Sequence, residues 1–327
     1  DKGVTVRVVD ENENLGGQLL KQTHKFFGSS QNEAGTRGVR IAKNLAEEVK
    51  AHQNIQVSSG SSAVGIYEGS RVGIYETEDG YRRLECKRII LATGASERMI
   101  PFENNDLPGI YGAGGVQTLM NTCGIKPGET ALIVGSGNVG LILAYQLMQA
   151  GTEVEAVIEV LPRIGGYFVH AAKILGQEVP ILTSHAVLKA EGKERLREVV
   201  TAKIDDDRNK IVGTEKRWNV DILALAVGLS PGYKLADQAG CRVKYVSELG
   251  GFVPLRNKKM RTTREDIFIA GDLAGIEEAT TAMIEGKIAG ISAAMDLGRA
   301  DKEEEGEISR LYDRINKLRN GPLNEDL

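Results

Sequence analysis

Apolar and polar positions along the chain switch between two periods. The stretch VTVRVVDE (4–11) is a short apolar strand that ends in two acids, Asp10 and Glu11. The loop NENLGGQLLKQTHKFFGSSQNEAG follows. Then, from about Thr36 to His52, Val39, Ile41, Ala42, Leu45 and Val49 recur at helical spacing. Residues 61–86 alternate with period two and turn at Gly69 and at Asp79-Gly80, which predicts an antiparallel meander. KRIILATGA is a buried strand entering a glycine turn. ETALIVGSGNVGLILAYQLMQAGTEVEAVIE predicts strand, turn, helix and second strand, and NVDILALAVGL a further buried strand ending at Gly228. DIFIAGDLAG leads into the helix EEATTAMIEGKIAGISAAMDLG. In the charged tail, Ile308, Leu311, Ile315 and Leu318 at three-four-three spacing predict an amphipathic helix packed on its own domain. Its acidic start and basic end suit the helix dipole.

This order predicts an α/β protein with two dinucleotide-binding, Rossmann-like domains and a small antiparallel β meander. The second domain (112–251) is inserted into a discontinuous first one (1–111 and 252–300), and 301–327 form the helical tail. The length of 327 residues suits two domains. The 39 glycines gather at strand ends, as tight βα turns require, and do not form a low-complexity tract. A net charge of −4 supplies no basic field, which argues against nucleic acid and anionic membranes as partners. No apolar run approaches the roughly 20 residues of a membrane span. Cys86, Cys123 and Cys241, far apart in sequence, fit a reducing compartment, so the expected location is cytoplasmic.

GSGNVG, built on Gly135, Gly137 and Gly140, has the context that gives this spacing meaning: an apolar strand before it and an apolar helix after it. The first glycine permits the tight turn, the second lets backbone approach a pyrophosphate, and the third lets helix and strand pack closely. Asn138 and Val139 start the helix, whose N-terminus favours an anion. A second strand ends at Glu159, where a carboxylate accepts both ribose hydroxyls and repels a 2′-phosphate, favouring NAD over NADP. Arg163, four residues on, is read as a surface charge, although it lies within reach of such a phosphate.

The opening strand, ending in acids, is what the second strand of a dinucleotide-binding βαβ unit looks like. A strand, a GxGxxG turn and a helix, roughly 30 residues, are therefore expected in front of it.

IILATGA and IFIAGD flank the NAD-type unit, and together the three resemble FAD/NAD-linked flavoproteins of the pyridine nucleotide-disulfide oxidoreductase type. The resemblance implies that Thr93 and Gly94 close the first FAD segment, that Gly271 and Asp272 return the chain to FAD, with Asp272 accepting from the ribityl chain, and that the helix beginning at Glu278-Ala279 faces the flavin pyrimidine edge. A helix N-terminus there favours the negative charge of a reduced flavin. Asp10 and Glu11, with Glu11 favoured from its spacing to Gly16-Gly17-Gln18, would serve the FAD ribose. DENENLGGQLLKQTHKFFGS, VEAVIEVLPRIGGY, LAVGLSPGYKLA, GGFVPLRNKKMRTTREDIFIAGDLAGIEEATTAMIEGKIAG and the late RNGP are similar to the group containing the sarcosine oxidase α chain, opine oxidase and hydrogen cyanide synthase subunits. This implies an oligomer in which the chain works beside a second flavoprotein, and in some cases a small iron–sulfur protein, on an amine or amino acid. No metal site is expected on this chain.

Disulfide reductases need two thiols close together; the spacing of Cys86, Cys123 and Cys241 argues against that chemistry. His24, seven residues past Gly17 and near Lys21 and Phe27, is the one acid–base candidate, and an ordinary structural histidine is the competing reading. Three functions follow: an FAD- and NAD-dependent subunit moving a hydride between NAD(H) and FAD in an amine or amino-acid oxidase or dehydrogenase complex; a free-standing NADH reductase passing electrons to ferredoxin, quinone or oxygen; or a non-catalytic nucleotide-binding scaffold.

Overall fold

The computed structural model describes residues 3–26, 33–300 and 302–319. Phe27 and the late Asn320, Gly321 and Pro322 lie outside them. The described chain forms two compact units. The first runs to Leu20, resumes over Lys25–Ser96 and again from Leu229 on; the second is Lys21–His24 with Glu97–Gly228.

In chain order the first unit begins with β1 (Val6–Val9), α1 (Gly38–Ala51), β2 (Ile55–Ser58), β3 (Ser61–Tyr67), β4 (Arg71–Glu76), β5 (Gly80–Glu85) and β6 (Ile89–Leu91), and β7 (Ala95–Glu97) carries the chain out of it. The second contains β8 (Ile110–Gly112), α2 (Ala113–Gln117), β9 (Thr130–Val134), α3 (Asn138–Gln149), β10 (Glu153–Ile158), α4 (Phe168–Leu175), β11 (Ile181–Leu182), β12 (His185–Gly192), β13 (Leu196–Lys203), β14 (Lys216–Asn219) and β15 (Ile222–Leu225). The chain then returns with β16 (Leu229–Pro231), α5 (Lys234–Gln238), β17 (Val243–Val246), β18 (Gly251–Pro254), β19 (Ile267–Ile269), α6 (Ala279–Asp296) and α7 (Lys302–Arg319).

In the second unit, five parallel strands stand in the order β11-β10-β9-β15-β8. The apolar run at β9 reflects a strand covered on both faces, because successive side chains point to opposite sides. Ala131 and Ile133 face Leu141, Ala144 and Leu147 of α3. Leu132 and Val134 face Ala190, Leu196, Val199 and Trp218 of the antiparallel sheet β12-β13-β14. The chain reverses its order between β9 and β15. In such sheets that switch point leaves a crevice beyond the carboxyl ends of the strands.

In the first unit, β3-β4-β5 form the expected meander, and two parallel pairs, β1–β2 and β6–β19, stand as separate pieces among the described residues. Ile284, Ile288, Ala289 and Ala293 of α6 pack with Ile89, Leu91 and Ile267–Ile269. Ile308 and Ile315 of α7 join the same core, so the tail helix packs within its own unit. On α1, Ile41 and Ala42 are buried while Leu45 is 41% exposed, a narrower apolar face than the spacing predicts.

The units part at Ser96/Glu97 and Gly228/Leu229, whereas the sequence suggests 111/112 and 251/252. Packing accounts for the difference: Ile100, Phe102 and Leu107 lie against the second unit's core, and Ala236, Ala239 and Cys241 are buried in the first unit's.

Candidate functional site

The turn between β9 and α3 lies at the switch point, and its three glycines are required for different reasons. A Cβ on Gly135 (φ +103°) would stand 2.2 Å from the carbonyl oxygen of Ala226, just past β15. One on Gly140 would stand 2.0 Å from the carbonyl oxygen of Gly135. Both glycines therefore exist for backbone packing. Gly137, the N-cap of α3, has an ordinary φ of −67°, and a Cβ there meets nothing within 4 Å. Open space above an N-terminus that carries no side-chain cap suits a phosphate. The nearby start of α2 differs: the Glu97 carboxylate already accepts from Gly114 N (2.6 Å) and Gly115 N (3.1 Å).

Glu159 closes this turn from the end of β10. It is 7% exposed; one oxygen accepts from both the N–H and the hydroxyl of Ser136 at 2.8 Å, and the other from Leu161 N at 3.0 Å. The loop after β10 then folds over the turn: Ser136 accepts from Gly165 N at its Oγ (3.2 Å) and from Gly166 N at its carbonyl oxygen (2.8 Å), and Asn138 Oδ1 accepts from Tyr167 N (2.8 Å). Ser136, Gly165 and Gly166 were not singled out by sequence reasoning, although the Gly-Gly pair beyond the strand was a visible signal. Arg163 is exposed, and Val139, the second residue of α3, is 44% exposed. Gly228 (φ +105°) accepts at its carbonyl oxygen from Arg98 N.

In the first unit, Gly94 (φ +66°) follows β6 with open space beside it. Thr93 is committed elsewhere: its hydroxyl donates to Gly232 O (2.8 Å), and Gly232 N donates to Gly94 O (2.8 Å). Thr93 thus joins the SPGY turn to the ATG turn, and its hydroxyl is already engaged there. Gly271 (φ +71°) and Asp272 follow β19, and burial, with the charge of Glu277, pushes the Asp272 carboxyl up from its usual pKa. Glu278, extended at the N-cap of α6, and Ala279, its first residue, present an 18-residue helix start without a side-chain cap. Asp10 accepts from Asn12 N (2.9 Å) and Asn12 Nδ2 (3.0 Å), whereas Glu11 is exposed beside it. Gly16 packs tightly on Ala42 of α1, and Gly17 and Gln18 are exposed. These residues fit a dinucleotide: glycines where backbone must be approached, an uncapped helix start and carboxylates at the strand ends.

His24 lies with the second unit. Thr23 Oγ1 accepts from Gln146 Nε2 (2.7 Å), and Lys21 O accepts from Asn121 Nδ2 (2.7 Å), holding the segment on α3 and the turn after α2. The His24 ring is 6.3 Å from that of His170, which stacks on Tyr167. Burial, then the charges of His170 and Lys173, lowers the His24 pKa to about 4. The ring is neutral at neutral pH, with no excess proton to give and a weakened capacity to accept one. Among the thiols, Cys123 is exposed, Cys86 half-buried and Cys241 buried, and burial raises the pKa of the last two.

The fold and site define a protein built on dinucleotide-binding units. The chain belongs to the pyridine nucleotide-disulphide oxidoreductase family, whose model matches residues 1–286. It is 25% identical over 315 residues to an opine oxidase subunit of Agrobacterium tumefaciens (strain Ach5), covering 90% of this chain and 61% of that protein. It is 27% identical over 342 residues to the HcnB subunit of hydrogen cyanide synthase from Pseudomonas aeruginosa (strain PAO1), covering 98% and 73%. With the alpha subunit of sarcosine oxidase from Corynebacterium sp. (strain P-1) it shares 27% over 309 residues, 90% of this chain and 30% of that one. The group identified from the sequence motifs is therefore the right one. The chain spans about three fifths of the opine oxidase relative and under a third of the sarcosine oxidase one. The structure of L-proline dehydrogenase from P. horikoshii shares the fold, with a TM-score of 0.70, 22% identity and 94% of this chain covered against 54% of that one. Among the described residues, no helix is long and apolar enough to cross a membrane.

Proposed function

We propose that the first unit binds FAD, that the second binds NAD(H), and that the chain serves a hydride transfer between them within an amine or amino-acid oxidase or dehydrogenase complex. The observation that carries this reading is the Gly137 turn, open and uncapped at the switch point of a complete parallel sheet. When bound, the two cofactors supply all the redox chemistry: a hydride donor at the nicotinamide and a two-electron acceptor at the flavin. The protein's own residues bind and orient. Gly137, Asn138 and Val139 offer the helix start to a pyrophosphate, and Glu159 holds the turn while disfavouring a 2′-phosphate. Asp272 offers a carboxyl for a ribityl hydroxyl, and the start of α6 favours negative charge on a reduced ring. That relatives are named as subunits of opine oxidase, sarcosine oxidase and hydrogen cyanide synthase supports a partner chain that oxidises the substrate.

The absorption spectrum of the purified protein, with and without NADH, tests this. Flavin absorption that bleaches on NADH, with amine oxidation only when a second flavoprotein is added, is the expected result. Rapid NADH turnover with a dye, ferredoxin or quinone and no partner would assign a free-standing reductase. A colourless, inert protein would assign a scaffold.

A further inference from the structure

Glu285, on the second turn of α6, is a carboxylate that no motif accounts for. It is 3% exposed. Its Oε2 accepts the backbone N–H of Gly271 at 3.0 Å. Its Oε1 accepts from Arg256 Nη2 at 3.1 Å and faces Arg319 Nη2 at 3.4 Å. Arg319, at the end of α7, also grips Glu277 in a bidentate pair, Nε to Oε1 at 2.7 Å and Nη2 to Oε2 at 2.8 Å. Glu277 immediately precedes the N-cap of α6.

Burying a carboxylate is costly unless it is paired, and an apolar side chain often serves stability as well or better. Burial raises the pKa of Glu285, and Arg256 opposes that rise. What an apolar residue could not supply is the acceptor for Gly271 N–H. That bond fixes a turn in the left-handed region, and the next residue is Asp272.

We infer that Glu285 is a positioning residue: it fixes the Gly271–Asp272 turn that presents Asp272 to the flavin nucleotide, and Arg319 makes α7 the clasp that holds Glu285 and Glu277 in place. The tail helix is thereby part of the flavin site without touching the flavin. This rests on the reading that the first unit binds FAD.

The test compares the full chain with Glu285→Gln, Glu285→Ala and Arg319→Ala. Three quantities are read: the FAD dissociation constant by flavin fluorescence, hydrogen exchange of a peptide covering Gly271, and Tm. Glu285→Ala removes the acceptor and should weaken FAD binding about tenfold or more, with faster exchange at Gly271. Glu285→Gln keeps an acceptor oxygen and should stay within about threefold. Arg319→Ala, which leaves Arg256 in place, should fall between them and speed exchange in the same peptide. A Glu285→Ala protein that loses Tm yet binds FAD like the parent overturns the inference, as does a folded Glu285→Gln protein that binds as poorly as the alanine variant. A parent protein that takes up no FAD is a failure of the underlying functional reading, and its spectrum reveals this before any variant is compared.

Discussion

Glu159 and Ser136 are joined by two 2.8 Å hydrogen bonds across 23 residues of chain, so the end of β10 and the glycine turn after β9 form one piece. The acid that spacing assigns to a ribose is also the acid that shapes the phosphate turn. Its two tasks should separate on substitution.

Glu159→Gln keeps an acceptor for Ser136 but removes the negative charge. Only the Leu161 N–H loses its acceptor, so Tm should fall less than in Glu159→Ala, and the preference for NADH over NADPH should narrow. Glu159→Ala strands buried donors, at about 1–3 kcal/mol each, and should lower both Tm and affinity. Steady-state kinetics with each cofactor decide the matter; equal kcat/KM for NADH and NADPH in the parent would remove Glu159 from the cofactor site.

Gly137 and Gly140 should respond in opposite ways to alanine. At Gly140 a Cβ would stand 2.0 Å from a carbonyl oxygen, so Gly140→Ala must displace backbone and should destabilise the second unit by several degrees or more in Tm. At Gly137 the backbone is ordinary and the space open, so Gly137→Ala should fold normally and bind NADH about tenfold more weakly, because the methyl occupies the phosphate's place. Isothermal titration beside thermal unfolding distinguishes the two. Normal NADH binding by Gly137→Ala would place the pyrophosphate elsewhere.

His24 should matter to stability in acid and not to turnover at neutral pH. Its folded pKa of about 4 lies below the usual histidine value of 6.5, so the folded state resists the proton that the unfolded chain accepts. The stability it contributes is present in full above about pH 6.5 and is lost as the pH falls toward 4. Thermal unfolding from about pH 7 to 4 should show a shallower decline for His24→Gln than for the parent. NADH-driven dye reduction between about pH 6 and 8 should change less than about twofold. A new limb in that pH profile would restore an acid–base role.

Alkylation should show whether the family's thiol chemistry is used. Cys123 is exposed and should react first, whereas burial raises the thiol pKa of Cys86 and Cys241 and slows them. Dye reduction should remain at least about half intact after all three are modified, since the spacing of the three gives no pair for a mixed disulfide. Loss of activity on modifying Cys123 alone, with the fold retained, would reverse this.

Most of the architecture could be read from local pattern, because period and glycine placement are properties of neighbouring residues. The meander over 61–85, the strand–turn–helix around Gly135–Gly140 and the long helix after Gly271-Asp272 each carry their signal within about 20 residues. The sheet β12-β13-β14 carried none. HAVLKAEGKERLREVV is rich in residues that suit a helix, and its turn, Lys193-Glu194-Arg195, lacks the Asn-Gly or Asp-Gly that marks a tight hairpin. The sequence located the glycines, the acids after the strands and the family they define. Only the tertiary structure decided where side chains point: Glu159 into its own turn, Thr93 onto Gly232, His24 beside His170, and Glu285 onto Gly271. Each of these contacts joins segments brought together by packing, and a chain pattern records which residues are apolar or small but not which distant polar group they will meet.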